Sequence, residues 1–91
     1  VFHILTLTYL KPVEVVDQTR AAHVAWLKDE VAAGRILLAG RLEPLTGGVL
    51  ITGDISAEDA QQIIDTDPYT LEGLVSYERV SFNGSIRAPG L

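Results

Sequence analysis

Cysteine and methionine are both absent from this chain of 91 residues. Without a thiol there is no disulfide, no thiolate nucleophile and no sulfur-ligated metal site. Basic residues are scarce as well: seven Lys and Arg stand against twelve Asp and Glu, for a formal charge of -5. No two basic residues adjoin, so a phosphate backbone would be held weakly and nucleic acid is not an expected partner. No apolar run approaches the roughly twenty residues of a membrane helix, and no basic-then-apolar leader opens the chain. The expectation is a protein of the cytoplasm with no membrane partner. The chain starts at Val1, which with the lack of methionine fits an initiator residue removed or lying outside the numbered chain.

What remains is apolar for its size. Hydrophobic residues make up 47% and charged residues 21%, the balance of one globular domain. A domain this short leaves much of its surface exposed, so the apolar content points to a second copy covering part of it, a homodimer.

Residues 1 to 9 are rich in β-branched and aromatic side chains and end before Lys11-Pro12, which predicts a first strand. Pro12 opens a helix over 13–33. Val13, Val16, Val24, Leu27 and Val31 recur in it at helical spacing, and Gly34 stands where a left-handed stop is wanted. Residues 35–42 and 48–52 read as two strands joined by a loop that holds Pro44 and turns at Gly47-Gly48. That glycine pair lacks a following lysine, so it is a turn and not a phosphate loop. Ser56 caps a second helix, Glu58 and Asp59 favour its positive end, and Pro68 stops it. A fourth strand is expected over 74–82. One domain thus spans 1–83, followed by an irregular tail over 84–91.

The order βαββαβ predicts an α+β, ferredoxin-like fold, an antiparallel four-stranded sheet with two helices on one face. Both alternating sets of side chains are apolar in Ile36-Leu37-Leu38-Ala39 and Val49-Leu50-Ile51. That is the pattern of a sheet buried on both sides, as in a dimeric α+β barrel.

Within this frame His23 and Asp67 are the residues best suited to chemistry. An imidazole can take up and give back a proton near neutral pH, and a carboxylate beside it fixes its tautomer and raises its basicity. Arg20 precedes His23 by three positions on the helix face that carries the valine stripe, which argues for a polar pocket rather than a solid core. Asp67 has a plain structural reading beside the functional one: an aspartate before proline caps a new helical turn. Both hold if one carboxylate oxygen caps and the other faces His23. Trp26 and Tyr69 are candidates to stack on a ring-shaped substrate, though packing alone accounts for such residues more often. His3 reads as a surface or interface residue. No ligand spacing marks a metal site.

These residues together make the chain similar to the YciI-like (YCII-related) family of the dimeric α+β barrel superfamily. The features that carry the resemblance are Arg20-x-x-His23 followed by Trp26-Leu27, then Gly34, Leu37-Leu38-Ala39-Gly40, Ser56-x-Glu58-x-Ala60, Asp67-Pro68-Tyr69 and Gly73-Leu74. It implies that His23 and Asp67 correspond to the family's proposed histidine–aspartate pair. It also implies a cofactor-free reaction such as dehydrochlorination of a chlorinated hydroxyquinol, one activity known in the family. The chain departs from the family's usual Gly-Pro stretch after the second strand, with Gly40-Arg41-Leu42-Glu43-Pro44 in its place, so the pocket rim differs.

The expectation is a lyase or isomerase without cofactor or metal, acting on a small cyclic or phenolic molecule. His23 would be the general acid/base and Asp67 its orienting partner, with Arg20, Trp26 and Tyr69 contacting substrate. The alternatives are a non-catalytic module that binds a small ligand in the same pocket, and a relative of muconolactone isomerases or cofactor-free monooxygenases.

Overall fold

Alternation along the first strand decides which way the sheet faces. In the computed structural model, which describes all 91 residues, β1 spans Phe2–Tyr9. His3, Leu5 and Leu7 point to one side and are fully or almost fully buried. The following elements are α1 (Val13–Val16), a single 3-10 turn (Asp17–Thr19), α2 (Arg20–Ala32), β2 (Ile36–Arg41), β3 (Gly47–Thr52), α3 (Ala57–Thr66), α4 (Pro68–Leu71) and β4 (Val75–Phe82). The sheet order is β2-β3-β1-β4, and every neighbouring pair is antiparallel. This is the α+β, ferredoxin-like arrangement.

Leu5, Leu7, Ile36 and Leu50 from the strands pack with Val16, Ile63 and Tyr69 from the helices into one core. The sheet's other face carries Leu38, Val80 and Phe82, all exposed. In register these join Ile4 and Ile51, because Leu38 pairs with Ile51, Ile51 with Ile4, and Ile4 with Val80. No helix is long and apolar enough to cross a membrane.

Three local expectations need correction. The single helix over 13–33 is broken: α1 tightens into the 3-10 turn before α2 begins at Arg20. Val13, Val15, Val16, Asp17 and Thr19 are all weak helix formers, so this stretch holds helical backbone only over short spans. Along the valine stripe only Val16 is fully buried, while Val24 and Leu27 are half-buried and Val31 is 47% exposed, as a face that lines a pocket requires.

Gly47 and Gly48 lie within β3 rather than at the turn. A Cβ on Gly47 would stand 2.0 Å from the Leu7 carbonyl oxygen, so the backbones meet there because no side chain intervenes. Finally, His3 is not at the surface. Its Nε2 faces the Ile55 carbonyl at 2.9 Å and its Nδ1 the Ser81 hydroxyl at 2.8 Å, so Nε2–H donates and Nδ1 accepts, and a buried histidine is fully satisfied.

The turn that places Asp67 follows from three residues. Pro68 has no amide proton and disfavours helical backbone at the residue before it, so α3 ends at Thr66 and Asp67 takes φ -59, ψ 125. Pro68 then starts α4, and Gly73, at φ 67, ends it. The Leu74 amide donates to the Tyr69 carbonyl at 2.9 Å and the Gly73 amide to that of Thr70 at 3.0 Å. This Schellman closure turns the chain straight into β4.

Candidate active site

His23 sits on the face of α2 that looks across to the α3–α4 junction, and the two helices bring it against Asp67. Nδ1 of His23 is 2.7 Å from Oδ1 of Asp67. The carboxylate is wholly buried and the imidazole nearly so. Asp67 Oδ1 also accepts the Tyr69 amide at 2.9 Å, so one oxygen both caps α4 and holds the histidine. The division of labour expected from the sequence, one oxygen for each task, does not occur. The second oxygen, Oδ2, takes the hydroxyl of Tyr77 instead.

All of these contacts are donated to Asp67, the pattern a carboxylate anion takes, and they fix His23 as the tautomer with its proton on Nδ1. Burial, reinforced by the adjoining Asp67 charge, pushes the pKa of Tyr77 far above the ordinary tyrosine value. Tyr77 therefore remains a donor and cannot exchange roles with the carboxylate.

The imidazole is held flat as well as anchored. The Tyr69 ring stacks on it with centroids 3.9 Å apart and planes 8° from parallel, and the Trp26 ring lies 5.7 Å away on a tilt. Nε2 of His23 bonds to nothing in the chain, and His23 lines a cavity of about 370 Å³ between α2 and the sheet. The floor of that cavity comes from Leu7, Ala39 and Leu50, its helical wall from Val24 and Leu27, and its polar groups from Tyr9, Arg20, Lys28, Arg41 and Tyr69. At this size it admits one small ring compound, near the lower end of ordinary ligand pockets, which begin at about 300 Å³.

The site residues expected from the sequence fare differently. His23 and Asp67 are in contact, Tyr69 joins them by its amide and its ring, and Arg20 lines the cavity with an exposed side chain. Trp26 is not part of the cavity wall; its indole N–H donates to the Thr66 hydroxyl at 3.3 Å, which ties α2 to α3. Two residues were missed. Tyr77 pairs with Leu7 in the β1–β4 register and so shares the core-facing side of the sheet, a position that strand alternation could have revealed.

Arg41 is the other. It stands in the Gly40–Pro44 stretch noted above and donates from Nε to the Tyr9 hydroxyl at 3.1 Å and from Nη2 to Asp17. Burial works against its charge, but these two bonds outweigh that and hold its pKa above the ordinary value. No group of three His, Asp or Glu side chains is arranged to hold a metal ion.

Comparison with known proteins supplies the context. The family model described as YCII-related domain matches residues 2–83. A stretch of 23 residues is 74% identical to a 12 kDa protein of Mycolicibacterium smegmatis, covering 25% of this chain and 96% of that sequence. Among solved structures the fold is similar to 5-chloro-2-hydroxyhydroquinone dehydrochlorinase (TftG) from Burkholderia phenoliruptrix AC1100 in complex with 2,5-dihydroxybenzoquinone. The TM-score is 0.77 at 21% identity, over 91% of this chain and 94% of that one.

Proposed function

The chain belongs to the YCII-related domain family, and from its site we propose that it is a cofactor-independent lyase or isomerase that moves a proton on a small cyclic or phenolic molecule. The observation that carries this reading is the His23–Asp67 contact of 2.7 Å, which leaves Nε2 unengaged at the cavity. A base that is oriented by a buried carboxylate, flattened by a stacked ring and set in the wall of a ligand-sized cavity has the equipment for general acid–base catalysis.

The mechanism runs without change of redox state. Nε2 of His23 takes a proton from a carbon or hydroxyl of the substrate, and the electron pair left behind is delocalised onto a substrate oxygen. Asp67 stabilises the imidazolium that forms, and Arg20 holds the developing oxyanion by charge-assisted hydrogen bonds. In a lyase the electron pair then expels a leaving group such as chloride. In an isomerase His23 returns the proton to a different atom. The structural likeness to a dehydrochlorinase is consistent with the first outcome, and supports the fold rather than the reaction.

In this reading the protein works in the cytoplasm as a homodimer, joined through the apolar sheet face of Leu38, Val80 and Phe82. The experiment that tests the proposal compares wild type with His23→Gln in two assays. One follows chloride release from 5-chloro-2-hydroxyhydroquinone, and the other follows deuterium wash-in from heavy water into a set of small cyclic ketones and hydroxyquinols. Turnover above buffer that disappears in a folded His23→Gln protein supports it. Turnover by neither assay, or turnover unchanged in that variant, makes the ligand-binding module the better account.

A further inference from the structure

The charge of the cavity is opposite to that of the protein. Acidic residues outnumber basic ones by twelve to seven in the chain, yet the fourteen residues that line the cavity include Arg20, Lys28 and Arg41 and no Asp or Glu at all. The unengaged polar groups at this site are almost all donors. Arg20 and Lys28 make no hydrogen bond within the chain, and Arg41 uses Nε and one Nη2 proton, which leaves both donors of Nη1 free.

Tyr69 is 98% buried, with 2% of its surface exposed. Its hydroxyl has no partner, and it is not among the buried polar atoms sealed away from solvent, so it opens to the cavity that Tyr69 lines. Burial pushes its pKa up to about 12, so it is present as O–H. Among the side chains of the cavity, Nε2 of His23 and the Tyr9 and Tyr69 hydroxyl oxygens can accept, and none carries a negative charge.

Building on the reading that the cavity holds a small-molecule substrate, we propose that this substrate is a cyclic or aromatic carboxylate, with its carboxylate bound by Nη1 of Arg41 and the Tyr69 hydroxyl while its ring lies toward His23. Three cationic side chains with no carboxylate among the lining residues fit an acceptor-rich anion, and a neutral ring forgoes the charge-assisted bonds they offer.

The placement also fits. Arg41 lies over the Tyr9 ring, 5.9 Å from its centroid, and Tyr9 meets the Tyr69 ring edge-on at 6.3 Å. The Tyr69 ring in turn stacks on His23. One continuous row therefore runs from guanidinium to imidazole along the cavity wall. Tyr9 and Asp17 orient the planar fork of Arg41, which saves the ordering cost at the moment of binding. Asp17 offsets part of the Arg41 charge, and the unpaired Arg20 and Lys28 restore the positive sign of the site.

Benzoate and its uncharged counterpart benzamide test this directly, titrated into the protein and followed by amide NMR shifts. Benzoate should shift signals from Arg41, Tyr69 and α2, and benzamide should bind roughly tenfold more weakly, the value of one charge-assisted hydrogen bond. Arg41→Gln should lower benzoate affinity by about tenfold and leave benzamide unchanged. Tyr69→Phe, which keeps the ring stacked on His23, should lower benzoate affinity by a smaller factor.

Benzamide binding as well as benzoate, either variant matching wild type, or no benzoate binding would overturn the proposal. His23→Gln separates the two ideas, because the preference for benzoate over benzamide, set by the Arg41 charge, should survive in it while proton transfer is lost. A loss of benzoate preference with intact proton transfer would strike only this inference, and the reverse only the catalytic reading.

Discussion

Tyr77 donates its hydroxyl to Oδ2 of Asp67, the one carboxylate oxygen that neither His23 nor the Tyr69 amide uses. A strand residue thereby completes a site otherwise built from helices. Because the carboxylate is fully buried, loss of that donor leaves an acceptor with nothing to replace it. Tyr77→Phe should cost about 1–3 kcal/mol of stability in thermal or denaturant unfolding. It should also lower kcat more than it raises KM, since it loosens the group that orients the base without touching substrate. An unchanged melting curve together with unchanged kcat would show that the contact has no part in positioning Asp67.

Asp67 itself carries two tasks on one oxygen. Asp67→Asn keeps a cap for α4, because an amide oxygen can still accept the Tyr69 N–H, but it cannot stabilise an imidazolium. The variant should remain folded and retain a weak residual turnover, reduced by more than about tenfold. The same amide oxygen still accepts from Nδ1 of His23, so the ring should keep the Nδ1–H tautomer, which nitrogen-15 NMR of the imidazole reads directly. Wild-type turnover in Asp67→Asn would contradict the charge-stabilising role.

The buried tyrosines set an alkaline limit on the fold. In the folded chain the pKa of Tyr69 is pushed up to about 12 by burial, and that of Tyr77 is pushed up further by burial and by Asp67. A raised tyrosine pKa means that the unfolded chain loses its protons first. The neutral hydroxyls therefore contribute stability fully below the ordinary tyrosine value of about 10, and that contribution is lost as pH rises through the folded value. Phenolate absorbance followed alongside circular dichroism should show these two hydroxyls ionising late and together with unfolding. Ionisation of all the tyrosines in the ordinary range, with the fold intact, would refute it.

Much of this architecture could be read before any coordinates. Ser56 was a legible cap, and its hydroxyl accepts the Asp59 amide at 3.1 Å. Pro68 marked the end of α3 and, after Asp67, the start of a new helical turn, and the ferredoxin-like sheet followed from element order. The pairing of His23 with Asp67 rested on resemblance, because 44 positions separate them and no local pattern sets a distance between two helices.

The misses have physical causes. The strand position of His3 suggested a surface, although it shares alternation with Leu5 and Leu7 and so points into the core. Tyr77 and Arg41 act through long side chains whose tips reach partners on other elements, and propensity and spacing do not encode such tertiary contacts. The break after α1 reflects a run of weak helix formers that a periodicity count passes over.

The uncovered sheet face makes a separate prediction. Leu38 is 58% and Val80 60% exposed, and both lie on the face opposite the helices, in line with Ile4 and Ile51. A second copy packed there would remove that apolar area from water at roughly 25 cal/mol per Å², before ordering costs. Light scattering at micromolar concentration should give a dimer. Leu38→Asp, which places a charge on that face at the edge strand β2 without entering the core, should give a folded monomer. A monodisperse wild-type monomer would exclude this interface.

The most direct test of the account is the pH profile of turnover for wild type and His23→Gln side by side, on whichever substrate exchanges deuterium or releases chloride. Wild-type rates should fall as acid places a second proton on the imidazole, since Nε2 then cannot accept one. The folded His23→Gln protein should run about 10²- to 10⁴-fold slower and lack that acid limb. A His23→Gln protein that turns over at the wild-type rate, with the same acid limb, would contradict the claim that His23 carries the proton.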